Sequence, residues 1–133
     1  MKTTVLDASA LLAFLFNEPG ADKIENLFHQ AAEADQPMHI SAVNWAEVLY
    51  KMQRKRGVRG LEGARQLERT MPLAVEPVER DLAEAAAGLK VAHDLGLADA
   101  FAAALARHRK ADFVTADTEF QSVEKEIKIN WLR

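Results

Sequence analysis

The chain has no cysteine among its 133 residues. Disulfides, thiolate zinc sites and cysteine nucleophiles are therefore excluded, and the expected setting is a reducing cytoplasm. Proline and glycine are sparse, with 4 and 6 residues, which rules out collagen-like and low-complexity classes. No apolar run approaches the roughly 20 residues of a membrane span, so no membrane association is expected. The start, Met1 to Thr4 followed by a short apolar run that Asp7 interrupts, lacks the pattern of a signal peptide. An excess of one charge is lacking as well. Against 17 basic residues stand 20 acidic ones, for a net charge of −3, so a nucleic acid would have to be met by a local basic patch.

What is present is an ordinary globular composition, 49% hydrophobic and 28% charged, in one domain's length over residues 1–133. A short β-type run ends at Asp7 and passes directly into a helix-forming stretch, Ala8 to Phe16, which Asn17-Glu18-Pro19-Gly20 closes as a turn. Helical spacing recurs over Ala21 to Ala34, over Ala42 to about Arg56 behind Ser41 as N-cap, and over Leu61 to Thr70 beyond the loosening Gly57 and Gly60. Further helices are expected over Glu79 to Leu95, closing at Gly96, and over Ala98 to about Arg109. A short one opens at Thr118 with Gln121 completing a capping box. Strands fit Met38 to Ile40, Leu73 to Val75, Asp112 to Thr115 and Ile127 to Trp131. This alternation predicts an α/β class fold, a three-layer α/β/α sandwich on a mainly parallel sheet of about five strands.

Four acids stand out by position: Asp7 after the first strand, Glu47 near the second turn of its helix, Asp99 at the opening of an alanine-rich helix, and Asp117 after Phe113-Val114-Thr115. Singly, Asp7, Asp99 and Asp117 also suit helix starts, where a carboxylate contributes roughly 0.5 to 1 kcal/mol. Glu47 alone suits a solvated helix with Lys51 as a partner four residues on. As a set they flank apolar segments, and the carboxyl edge of a parallel sheet is where ligands bind. Two carboxylates about 4 Å apart repel by about 4 kcal/mol at an effective dielectric of 20, so converging acids need protons or a cation. A hard divalent ion such as Mg²⁺ or Mn²⁺ matches oxygen donors and supports attack of water on a phosphodiester.

The segments VLDASALLAFLFNEPG, SAVNWAEVLYKM, GLADAFAAALA and VTADTEF resemble, in order, the motifs of PIN-domain ribonucleases, and closely those of the VapC toxins of toxin–antitoxin systems. The resemblance implies a metal-dependent endoribonuclease that hydrolyses RNA, with Asp7 and Asp99 as principal ligands of Mg²⁺ (or Mn²⁺) and Glu47 and Asp117 completing the acidic pocket. It implies supporting hydroxyls at Ser9 and Thr115, a supporting or substrate role for Asn44, a cognate VapB-type antitoxin, and a homodimer.

Lys51, Arg54 and Lys55 follow Glu47 at offsets that place them on the same helix face. They are candidates for RNA phosphates, with Arg56, Arg59, Arg107 and Arg109 as further possibilities, against the plain reading of a solvated helix end. The four histidines show no metal-binding spacing. Two rivals stand beside the nuclease. An aspartyl phosphatase of the haloacid dehalogenase type would want an acid where Ser9 stands. A catalytically silent PIN-like RNA-binding or interaction module would keep the fold without the chemistry.

Overall fold

A computed structural model describes residues 2–132. Strand β1 (Thr4–Leu6) sends Val5 to one face of the sheet and Leu6 to the other, and both are fully buried. A strand covered on both sides reads as a continuous apolar run, which is the pattern the sequence shows here. β1 is central in a sheet completed by β2 (Met38–Ser41), β3 (Leu73–Glu76), β4 (Asp112–Thr115) and β5 (Lys128–Trp131), in the order β3-β2-β1-β4-β5. Every pairing is parallel, because each connection crosses over through a helix.

The crossovers build the outer layers. Helices α1 (Ala8–Leu15), α2 (Ala21–Ala34) and α3 (Ala42–Thr70) share a core with Leu6, Ile40 and Val114. Helices α4 (Arg80–His93) and α5 (Leu97–Arg109) cover the opposite face with Val5 and Phe113, joined by a 3-10 helix (Thr118–Val123). Alanines 100, 102, 103, 104 and 106 are all buried, so α5 packs close. After β3 the chain returns past β1 to lay β4 on its other side. The reversal at β1 and β4 opens a crevice at the carboxyl ends of those strands, the place where such sheets bind ligands.

Three local details bear on the sequence expectation, the first agreeing with it and the other two departing from it. The two helices expected on either side of Gly57 are present as the two halves of α3, meeting at a kink at Gly57, where φ is 63° and ψ −152°. Only glycine adopts that backbone without strain. Gly60 then lies so close to the preceding turn that a Cβ would stand 2.4 Å from the Met52 carbonyl oxygen. Next, α4 stops at His93 on a left-handed Asp94, and Gly96 serves instead as the N-cap of α5. Finally, Asp117 rather than Thr118 caps the 3-10 helix, through the Glu119 amide at 2.9 Å.

The two glycines of the second half of α3 should separate on substitution. Gly60→Ala is expected to cost about 2 kcal/mol, since backbone cannot yield to the added methyl. Gly63→Ala, with nothing within 4 Å of its Cβ position, should stabilise by about 0.5 to 1 kcal/mol. Urea denaturation midpoints of the two variants check the contrast.

Candidate active site

Asp7 stands at the carboxyl end of β1, beside β4, where its backbone N–H donates to the Val114 carbonyl. Its carboxylate is buried and accepts from Ser9 Oγ at 2.8 and 2.9 Å, from Thr115 Oγ1 at 2.7 Å and from the Ala10 amide at 3.0 Å. The amide bond is the N-cap of α1, so the capping role is real. The two hydroxyls are themselves fixed, Ser9 Oγ accepting from the Ala116 amide at 3.0 Å and Thr115 Oγ1 from the Asp117 amide at 3.0 Å. One network thus ties the ends of β1 and β4 together around a carboxylate. Burial pushes Asp7 up to about 6, against the pull of its hydrogen bonds, with Asp117 adding a smaller repulsion.

Asp99 lies in the first turn of α5, and its carboxylate meets those of Asp117 and Glu119, with one oxygen from each within 4.8 Å of the others. Burial and then the charges of Asp117 and Asp7 push Asp99 up to about 7. Among the described residues this is the one group of three or more acids, histidines or cysteines placed to hold an ion. An all-oxygen donor set with uncompensated charge fits a hard divalent cation. Two of the sequence candidates, Asp99 and Asp117, are therefore brought together, and Asp7 is close enough for its charge to act on both. Glu119 escaped the sequence reading. Its signal was a second acid two residues after Asp117, inside the VTADTEF segment.

Glu47 does not join that group. It is half-buried and bonded to Lys51 at 3.0 Å, although Lys51 also feels the charge of Asp99. Asn44 proves to be a buried strut rather than a surface residue. Its amide donates to the Ala98 carbonyl at 3.0 Å, and its oxygen accepts from Ser41 Oγ at 2.5 Å, which latches the start of α3 to the residue before Asp99. Arg54 stacks on Tyr50 at 4.9 Å, and Lys55 and Arg56 on Phe16 at 4.6 and 5.0 Å. Arg107 and Arg109 sit at the far end of α5, bonded to Glu126 and Glu76. They are about 12 to 15 Å along the helix axis from Asp99, too far to serve the same phosphate.

The raised acids make stability fall with rising pH. An acid whose folded pKa lies above its unfolded value holds its proton more tightly in the folded state, so the cost of ionising it is absent below about pH 4 and complete above the folded value. For Asp7, from 3.8 to about 6, that cost is on the order of 3 kcal/mol. With chelator present, the thermal midpoint attributable to these groups should fall as pH rises from 5 to 8. Asp7→Asn and Asp99→Asn should be more stable than the parent at pH 8 and lose much of that slope, as differential scanning fluorimetry would show.

A family model described as the PIN domain matches residues 4–126 of this sequence. No curated protein matches it. Among solved structures, DNA-bound VapBC from Salmonella typhimurium is similar with a TM-score of 0.81 at 20% identity, covering 100% of both chains. VapBC2 from Rickettsia felis, bound to a promoter DNA fragment, gives 0.78 at 15% identity over 97% of this chain and 98% of the other. Mycobacterium tuberculosis VapC20, described as a Sarcin-Ricin loop cleaving toxin, gives 0.66 at 23% identity over 91% and 95%. At such identities the likeness speaks for the fold. Joined to a family match that runs from the first strand to beyond the last acid of the group, it places this chain in the PIN-domain family.

Proposed function

We propose that this protein is a divalent-metal-dependent endoribonuclease, the VapC-type toxin of a toxin–antitoxin pair, paired with a VapB-type antitoxin and active as a homodimer. The observation that carries the reading is the meeting of Asp99, Asp117 and Glu119 at the sheet's switch point, with Asp7 buried within range of the Asp99 and Asp117 charges. Likeness to VapBC complexes and to an RNA-cleaving toxin supports the biological assignment.

In this reading Asp7 and Asp99 hold Mg²⁺ or Mn²⁺, and Glu119 extends their set. The bound ion supplies charge stabilisation at the phosphodiester oxygens and a more acidic water. The remaining work belongs to the chain. Ser9 and Thr115 keep the Asp7 carboxylate in one orientation, and Asn44 fixes the turn that presents Asp99. Glu47 and Asp117 orient the attacking water. Lys51, Arg54 and Lys55 draw in the flanking phosphates.

RNA cleavage by the purified protein should require added Mg²⁺ or Mn²⁺ and stop with chelator. Asp7→Asn and Asp99→Asn should each lower the rate by about 100-fold or more, as ligand loss exceeds the effect of losing an outer partner. Asn44→Ala, folded but without its latch, should lose about 10-fold. Initial rates on a labelled RNA decide all three, and chelator-resistant cleavage or undiminished Asp99→Asn activity overturns the assignment.

A further inference from the structure

We propose that Tyr50 is a base-stacking platform that makes the protein a reader of single-stranded RNA beside the acidic group. The proposal rests on the nuclease reading above and names its substrate class. On the first half of α3, Glu47, Tyr50, Lys51 and Arg54 stand at offsets of three, four and seven, so they share one face. The stripe begins at the acids: Lys51 bonds Glu47 at 3.0 Å and lies within range of the Asp99 charge. It continues for about 10 Å along the helix to Arg54, room for a short run of nucleotides.

Tyr50 is the chain's one tyrosine and, among the described residues, the only aromatic side chain of the exposed large apolar ones, 44% accessible where the others, Val58, Val91 and Leu97, are aliphatic. Its neighbour Trp45 packs against the core instead. The Arg54 guanidinium lies over the ring at 4.9 Å from its centroid, which braces it and occupies one face. A base stacked on the accessible part of the ring would complete a stack of guanidinium, phenol and nucleobase. Lys51 and Arg54 flank the ring with positive charge, the combination of aromatic face and cations that binds single strands without demanding a sequence. In an A-form duplex the bases are already stacked and their faces are closed to such a ring.

The test is binding in the presence of chelator, so that cleavage plays no part. A fluorescently labelled short oligoribonucleotide is titrated with parent, Tyr50→Ala, Tyr50→Phe and Arg54→Ala proteins, beside a duplex of the same sequence. Loss of one stacked base predicts single-strand affinity about tenfold weaker for Tyr50→Ala. Tyr50→Phe should stay within about twofold, since the ring rather than the hydroxyl stacks. Arg54→Ala should weaken binding and flatten its salt dependence. Duplex affinity should be unchanged by Tyr50→Ala. Parent-like single-strand affinity of Tyr50→Ala, or an equal loss on duplex, overturns the platform and gives the exposed ring to another occupant such as a protein partner. A Tyr50→Ala defect in a protein that never cleaves RNA overturns the nuclease reading alone. Metal-dependent cleavage with parent-like Tyr50→Ala binding overturns the platform alone.

Discussion

Carboxylates pressed together in a partly buried crevice repel, and the structure around Asp99, Asp117 and Glu119 is what holds them in place despite that repulsion. The restraint comes from rigid elements on all sides. The 3-10 helix after β4 carries Asp117 and Glu119, with the Asp117 side chain capping it and the Asp117 amide bonded to Thr115. The first turn of α5 carries Asp99 and is tied to α3 through Asn44. Burial first and then the neighbouring charges raise Asp99 to about 7, and burial chiefly raises Asp7 to about 6. Strain of this kind clusters at sites where a cation or a proton is part of the work.

The hydroxyl cradle of Asp7 shows how a small structural role and a chemical one coexist. Its bond to the Ala10 amide starts α1, as a helix N-cap does anywhere. The bonds from Ser9 and Thr115 do something a cap does not need: they join β1 to β4 across the switch point and fix the carboxylate's orientation. A capping aspartate is ordinarily solvated, whereas this one is 2% exposed. Burial turns a cap into a group whose ionisation is costly, and a cation would offset that cost.

The α3 helix distributes its charge with similar economy. Glu47 is paired with Lys51 on the helix surface, so it stands apart from the acidic group as half of an ion pair rather than as a free anion. Arg54, Lys55 and Arg56 lie on Tyr50 and Phe16, their stems and planes covering apolar rings. The resulting strip is positive beside a negative crevice in a protein of net charge −3, a local arrangement that no whole-chain sum reveals.

Much of the fold was legible in the sequence because its signals are local. Periodicity placed α2 at Ala21–Ala34 and β4 at Asp112–Thr115, and Ser41 announced the start of α3. The alternation of strands and helices implied the parallel sheet. The break at Gly57 was legible as well, whereas the boundaries that slipped, at Asp94 and Asp117, turn on backbone dihedrals and on a choice between adjacent capping residues, which differ by about 1 kcal/mol or less and are settled by packing. For the site, the sequence supplied Asp7, Glu47, Asp99 and Asp117 as acids, and the resemblance to PIN-domain toxins added the hydroxyls of Ser9 and Thr115. Tertiary structure decided their arrangement. It put Glu119 into the group, bound Glu47 to Lys51, buried Asn44 as a strut, and sent Arg107 and Arg109 to the far end of α5. The physical reason is distance along the chain. A cap or a periodicity is written within a few residues, whereas the meeting of Asp99 with Asp117, or of Asp7 with Thr115, exists only after the strand order has carried remote segments to one edge of one sheet.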